Sequence, residues 1–281
     1  MRKATADRVA CLLLAVAAWS VILLALAVFG LVAWHGAAGL SLEFIFGMPR
    51  QGMRAGGIWP AVVGTTYLMV GTMLTSIPLG LAGAVYLTEY APSNLWTAAI
   101  RVAIINLAGV PSVVYGLFGL GLFVLFLGFG ASILAGSLTL GILVLPLIIT
   151  TAEEALRAVP ADFRAASYAL GASQWQTTRR VVLPCALPGI LTGSILALGR
   201  AAGETAPILF TVAAFFLPAL PTSPLHQAMV LPYHLYVLST QVPNAPVQIQ
   251  HSTALVLLLL VLALNLSAVV LRIRARRAHR W

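Results

Sequence analysis

An all-α polytopic membrane protein, with about six transmembrane helices and one helix–turn–helix loop, is the fold class this sequence predicts. Three observations predict it. Of 281 residues, 60% are hydrophobic and only 8% charged, whereas a soluble domain carries about a quarter charged residues. Apolar runs of about 20 residues, the length a helix needs to cross a bilayer, recur along the chain. The basic residues gather at the ends of those runs. Mean hydropathy is +1.00, and a water-soluble globule of this length exposes too much surface to hide such a composition. A net charge of +9 in a soluble chain would suggest nucleic acid. Here its placement points to membrane orientation, with no nucleic-acid partner.

The spans follow in order. Residues 9–34 hold no charge. The run is too long for a signal-peptide core and no small-residue cleavage site closes it, so it is expected to be an uncleaved first span. The second is expected over 59–88, the third over 102–129 and the fourth over 131–151. The fifth covers 187–216 and contains Arg200 and Glu204, and the sixth covers 253–271. Together they form a single transmembrane domain over 1–281. The division between spans three and four, near Gly128, Gly130 and Gly136, is the least sharply marked.

Six spans put both termini on one side. That side holds all 16 basic residues except Arg50, Arg54 and Arg200. The positive-inside rule makes it the cytoplasm, so both termini and the segment from Glu153 to Pro188 are expected inside. Outside lie 36–58 and 217–250. The second carries Pro218, Pro221, Pro224, Pro232, Pro243 and Pro246 and no acidic or basic charge. It is either a flexible loop or a short helix or re-entrant piece.

Glu153 to Pro188 reads as two short helices. Pro160 suits a helix start. Phe163, Ala166, Ser167 and Leu170 then share a face, with Arg164 and Tyr168 beside it. Gly171 stops the helix. Ser173 and Gln176 have capping-box spacing, so a second helix starts at Ser173. Pro184 and Pro188 mark the entry to span five. Such a lever at the membrane surface can carry motion from a soluble partner to the spans. Helical spacing alone fits an interfacial loop with no partner better.

This segment resembles the loop shared by permease subunits of binding-protein-dependent ABC importers. Their pattern is Glu-Ala-Ala, three residues, Gly, nine residues, Ile, any residue, Leu-Pro. Here it reads Ala165, Ala166, Ser167, then Gly171, then Val181, Leu183 and Pro184. Val181 stands for Ile, Ser167 for the second Ala, and Ala165 where the pattern has Glu. Two further stretches resemble phosphate importer permeases: Asn106 to Leu120, and Arg200-Ala201-Ala202-Gly203-Glu204-Thr205-Ala206-Pro207. The Glu-Thr-Ala-Pro ending is similar to the PstA side of the PstA/PstC pair. The resemblance runs from about Gly64 to the C-terminus. It implies the type I permease fold of ABC importers, a second homologous permease subunit, two ATP-binding ABC ATPase subunits on the cytoplasmic loops, and an extracytoplasmic phosphate-binding protein. It also implies a bacterial inner-membrane location, in contact with lipid.

Arg200 and Glu204 are unusual inside a span, where a lone charge costs on the order of 3 kcal/mol. Four residues apart on a helix, they can pair. Two readings stand: an anion translocation path, where a guanidinium matches phosphate geometry, or a salt bridge that locks packing. Gly189 with Gly193, and Gly199 with Gly203, have the spacing of close helix contacts. Pro78, Pro111, Pro146 and Pro207 interrupt apolar runs and are expected to kink them.

The rest of the sequence excludes more than it offers. There is no Walker A pattern, and Lys3 is the one lysine, so ATP hydrolysis belongs to a separate subunit. The five histidines have no metal spacing, and no cofactor, metal or catalytic residue is expected. Cys11 and Cys185 give no disulfide framework. The expected function is a permease subunit of an ATP-driven phosphate importer. The alternatives are a permease for another oxyanion (phosphonate, molybdate or sulfate), or a membrane-embedded enzyme or structural subunit.

Overall fold

The computed structural model describes residues 2–278. His279 and Arg280 of the basic tail lie outside the described residues, and the side chains of Arg2, Lys3, Arg8, Arg276 and Arg277 lie outside those described. The first helix, α1 (Arg2–Ala37), lies against the last, α12 (Val247–Ala278). Where the two meet, Ser252 Oγ donates to the Gly36 carbonyl at 2.8 Å. No residue in the most apolar window of α1 is buried, which suits a helix whose remaining surface faces lipid.

A short helix, α2 (Leu42–Phe46), is capped by Ser41, whose hydroxyl accepts from Phe44 N–H at 3.0 Å. A small antiparallel hairpin follows, β1 (Pro49–Arg50) with β2 (Ala55–Gly56). The chain then enters α3 (Trp59–Val85), with Pro60 in the first turn, and widens into a π turn at Tyr86–Tyr90. Asn94 caps α4 (Leu95–Ala108) through Thr97 N–H at 2.9 Å.

The third expected span is not one helix. It starts earlier than residue 102, at Leu95, because Asn94 supplies the cap. It breaks at Gly109–Pro111, and α5 (Ser112–Gly119, continued by a π turn at Leu120–Phe126) leaves at 100° to α4. Pro111 has no N–H to give, and its extended backbone (ψ 140) ends the helical path there.

The central element is α6 (Ile133–Arg157), with 67% of its most apolar window buried. Ser132 caps it, and its first free N–H groups are met by the returning loop, Ile133 N to His226 O at 3.0 Å and Leu134 N to Pro224 O at 2.8 Å. After α7 (Ala161–Ala169), α8 (Gln174–Thr177) runs through a π turn at Thr178–Val182 straight into α9 (Leu183–Ala202). Leu183 N–H bonds back to Thr178 O. The wider turn precedes Pro184, whose missing N–H would otherwise leave a gap in an α ladder. Pro184 and Pro188 therefore lie within a continuous helix, where the sequence suggested a separate entry point.

Segment 217–250 takes the ordered alternative. Its helix α11 (Leu231–Thr240) is buried at the hairpin end, and Leu231 N–H donates to Thr65 Oγ1 at 2.9 Å. Between α9 and α11 lies the six-residue α10 (Ala206–Thr211).

Three buried clusters stack along the bundle. One at the hairpin end joins Phe44, Met53, Leu68, Leu140, Ile208 and α11. A smaller one at mid-height joins Tyr115, Val144, Ile148, Ala197 and Ala201. The third, at the lever end, joins Ala84, Leu87, Leu156, Val182 and Ile190. Several buried hydroxyls inside the helices bond back one turn, as Thr72 does to Leu68 O at 2.8 Å and Thr139 to Ala135 O at 2.7 Å. This satisfies them without water. Among the described residues, five helices are long and apolar enough to cross a membrane, and the bent α4–α5 pair makes a sixth crossing if counted as one.

Candidate functional site

Two places in the bundle carry chemistry that apolar packing does not require. The first is the lever. Helix α7 follows Pro160 and ends at Gly171, whose φ of +81° is left-handed and costs a glycine nothing. Two bonds close the turn, Gly171 N to Tyr168 O at 2.9 Å and Ala172 N to Ser167 O at 3.2 Å, the paired pattern of a glycine C-terminus. The capping box is present: Gln176 N–H donates to Ser173 Oγ at 3.3 Å and Ser173 N–H to Gln176 Oε1 at 2.9 Å. Ser167 and Thr177 join across the turn through their hydroxyls at 2.8 Å.

The packed face of α7 is narrower than the sequence suggested. Ser167 is buried and Phe163 half-buried, but Ala165 and Ala166 are exposed and Leu170 is 90% exposed. Leu170 occupies the C-cap, past the last full turn, so helical periodicity no longer places it. With Tyr168 and Trp175 it leaves three large side chains exposed around the turn. Val181 and Leu183 are half-buried in the continuous α8–α9 helix, and Pro184 is exposed.

Beneath the lever lies a set of ion pairs. Arg164 Nη2 donates to Glu89 Oε1 at 2.8 Å, and the same guanidinium donates to Leu156 O at 2.9 Å and Val159 O at 2.8 Å. Gln174 donates to the Glu89 carbonyl. Nearby, Arg101 pairs with Glu153 at 2.5 Å and donates to Leu87 O. Arg157 reaches Glu153 at 3.5 Å. Reading the arginines for orientation alone missed these pairs. The available signal was Glu89 and Glu153, two of only 7 acidic residues, at span ends otherwise rich in arginine.

The second place is at mid-bundle. Arg200 and Glu204 are not in the middle of an unbroken helix. The expected fifth span, 187–216, stops at Ala202, and Gly203 to Thr205 form a break before α10. The chain tightens there, with Gly203 N to Arg200 O at 3.1 Å and Glu204 N to Ala201 O at 3.2 Å. Pro207, in the first turn of α10, cannot continue the ladder of α9. Arg200 Nε lies 3.6 Å from Glu204 Oε1, with side-chain exposures of 53% and 17%.

The α4–α5 break sits beside this one. Tyr115 of α5 shares the mid-height cluster with Ala197 and Ala201 of α9, and its hydroxyl donates across the bend to Leu107 O at 2.8 Å. Gly116 has no room for a Cβ against the Pro207 backbone, so α5 and α10 meet closely. The sequence singled out these two breaks separately; the packing puts them together. Paired helix interruptions at one depth leave backbone dipoles and polar side chains facing a common space, which closed helices do not.

The small-residue patterns divide. Gly189 and Gly193 meet α6, where a Cβ would collide with Ala155 and Thr151. Gly199 abuts Asn265 of α12, whereas Gly203 is exposed and uncrowded, so the second pair is not one contact. No group of three His, Cys, Asp or Glu side chains converges among the described residues.

Comparison with known proteins places this architecture. Residues 76–277 match the family described as "Binding-protein-dependent transport system inner membrane component". The probable ABC transporter permease protein YqgI of Bacillus subtilis is 39% identical over 254 residues, covering 85% of this chain and 86% of YqgI. The phosphate transport system permease protein PstA 1 of Mycobacterium tuberculosis (strain H37Rv) is 38% identical over 234 residues, covering 83% and 74%. Among solved structures, a bacterial ABC transporter involved in import of the acidic polysaccharide alginate superposes with a TM-score of 0.67 at 16% identity, covering 97% of this chain and 96% of that one. The inward-facing MetNI methionine ABC transporter gives 0.60 at 19% identity, covering 79% and 98%. At these identities the structural matches speak for the fold. This multi-pass membrane protein belongs to the family of binding-protein-dependent transport system inner membrane components, among its PstA-type permeases.

Proposed function

We propose that this chain is the permease subunit of an ATP-driven phosphate importer. A second, homologous permease completes the path, two ABC ATPase subunits dock on the lever, and an extracytoplasmic binding protein delivers phosphate at the hairpin end. Both termini and the lever lie in the cytoplasm of a bacterial inner membrane. The whole chain, 1–281, acts as one permease domain.

The observation that carries the reading is the half-exposed Arg200 at two adjoining helix breaks. A guanidinium there presents planar donors to an oxyanion. Its contact with Glu204 is long, so an anion has only a weak competitor to displace. A path must also release what it admits, and the nearby carboxylate keeps the grip loose. Arg200 and Glu204 are assigned to the translocation path. Ala165, Ala166, Ser167, Gly171, Val181, Leu183 and Pro184 are assigned to the ATPase-coupling segment, with the exposed Tyr168, Leu170 and Trp175 as its apolar contacts.

Uptake of radiolabelled inorganic phosphate in cells deleted for this chain tests the proposal. Loss of uptake, restored by the chain, is the expected result. Unchanged phosphate uptake together with lost uptake of molybdate, sulfate or phosphonate would move the substrate to another oxyanion.

A further inference from the structure

The ion pair between Arg164 and Glu89 joins the lever to the spans in a way that its neighbours do not. Helix α7 packs on α8 and the π turn after it. Two adjacent side chains of α7 reach toward α3 and the end of α6. Phe163 packs against the lever-end cluster. The Arg164 guanidinium is directional. It holds Glu89 at the end of α3 with one nitrogen at 2.8 Å and another at 3.4 Å. It also holds the carbonyls of Leu156, in the last turn of α6, and of Val159, just beyond it. One side chain thus fastens three elements, and Glu89 is only 6% exposed.

The places it fastens can give. Glu89 lies in the π turn Tyr86–Tyr90, and the second arm of the lever opens on another π turn, Thr178–Val182. A π turn carries one residue more than the α ladder needs, so a small shift can be taken up there while the helix beyond stays intact. Gln174, at the start of that second arm, donates to the Glu89 backbone carbonyl. Both arms of the lever therefore converge on Glu89.

We propose that the Arg164–Glu89 pair is the joint through which the lever moves α3 and α6, making these two residues positioning residues of the transport cycle. The inference rests on the reading that α7 and α8 engage an ATPase. In this chain the motif's glutamate position is an exposed alanine, Ala165, and the carboxylate that meets the lever comes from α3. A push on α7 travels along the guanidinium to the end of α3 and to the end of α6, the two helices that build most of the core. Without the pair, the lever still docks and still moves, but slides over Leu156 and Leu87 on apolar contact.

The test uses the native complex, purified through a tag on this chain and reconstituted in vesicles with its binding protein and inorganic phosphate. Co-purification of the ATPase, ATP hydrolysis and phosphate uptake are measured for Glu89→Gln, Arg164→Met, the double variant and Glu89→Asp. Glu89→Gln is expected to keep the ATPase bound and hydrolysing. Phosphate taken up per ATP should fall by about fivefold or more, with the double variant no worse than Arg164→Met, because paired residues are non-additive. Glu89→Asp keeps the charge on a shorter stem and should fall between. If Glu89→Gln does not accumulate, Glu89→Asp decides: reduced uptake per ATP supports the joint and unchanged uptake per ATP overturns it. Unchanged uptake per ATP in an abundant Glu89→Gln complex overturns it equally. Failure of the unaltered chain to hold any ATPase is a different result, and removes the lever reading itself.

Discussion

Two arginine–glutamate pairs in this molecule invite comparison. At the lever end, Arg164 and Glu89 are 2.8 Å apart with side-chain exposures of 20% and 6%. At mid-bundle, Arg200 and Glu204 are 3.6 Å apart, with Arg200 53% exposed. The first guanidinium spends its remaining donors on two backbone carbonyls; Glu204 is the one protein partner described for the second. A desolvated, multiply bonded pair holds parts together, and its geometry leaves nothing for a passing anion. A loose, half-open pair at a helix break has donors to spare. Sequence spacing pointed to the second pair because four residues separate its members; the tighter pair spans 75 positions and is invisible to local pattern.

The comparison breaks most directly at Arg200. The double change Arg200→Leu with Glu204→Leu removes both members of a loose, half-exposed pair, whose contribution to stability is small. The variant is expected to reach the membrane at normal abundance and to lose phosphate uptake by roughly tenfold or more, since it removes the guanidinium at the two adjoining helix breaks. Normal uptake by the abundant variant would make the mid-bundle pair a packing device like its counterpart.

The opposite outcome is expected at the lever. Arg164→Met strands Glu89 in a largely buried position, and breaking one side of such a pair costs roughly 3–5 kcal/mol. A drop in the thermal unfolding midpoint of the purified complex is the check, and Arg200→Met should show little of it. Equal losses at both sites would erase the distinction.

A third difference concerns backbone. Gly171 has φ +81° with open space around it, so Gly171→Val suffers from conformation alone. Weaker ATPase co-purification is expected, with a destabilisation of about 1–2 kcal/mol. Gly171→Asn, which tolerates the left-handed region, should restore most of it.

A fourth difference sharpens the contrast between paired and unpaired buried groups. His234 of α11 is 3% exposed and its Nδ1 has no hydrogen-bond partner in the structure. Burial pushes its pKa down to about 4 from an ordinary value of 6.5. The folded state therefore prefers the neutral ring. Its stability is whole above pH 6.5 and is lost as pH falls from there toward 4, by roughly 3 kcal/mol in full. Thermal melts of the wild type and His234→Gln between pH 7.5 and 5 should converge toward acid; parallel curves would count against the buried histidine.

Much was legible from local features. Hydropathy located the spans, and Asn94, Ser132, Ser173 and Gly171 act through neighbours within a few residues. The capping box at Ser173 and the glycine turn at Gly171 are formed by bonds that reach no farther than one turn. What local pattern misjudged was continuity. It kept one span across Pro111 and one across Gly203, marking kinks at Pro111 and Pro207 where the chain breaks outright, and placed an entry point at Pro184, where the helix runs on. Proline forbids one hydrogen bond, but whether a helix breaks or bulges around that loss depends on what surrounds it. At Pro184 a π turn absorbs it; beside Pro111, Tyr115 bridges the gap to Leu107.

By itself, then, the sequence determined the solvent, the approximate number of crossings, the lever and its turn, because each follows from composition or from contacts within about a turn of helix. Only the tertiary structure decided that the two interruptions lie side by side, that α8 and α9 are one helix, and that Glu89 meets Arg164. Those facts depend on segments far apart in the chain being brought together by the packing of α3, α6 and α9, and a charge pair across such a distance forms only once the apolar faces have fixed where each helix ends.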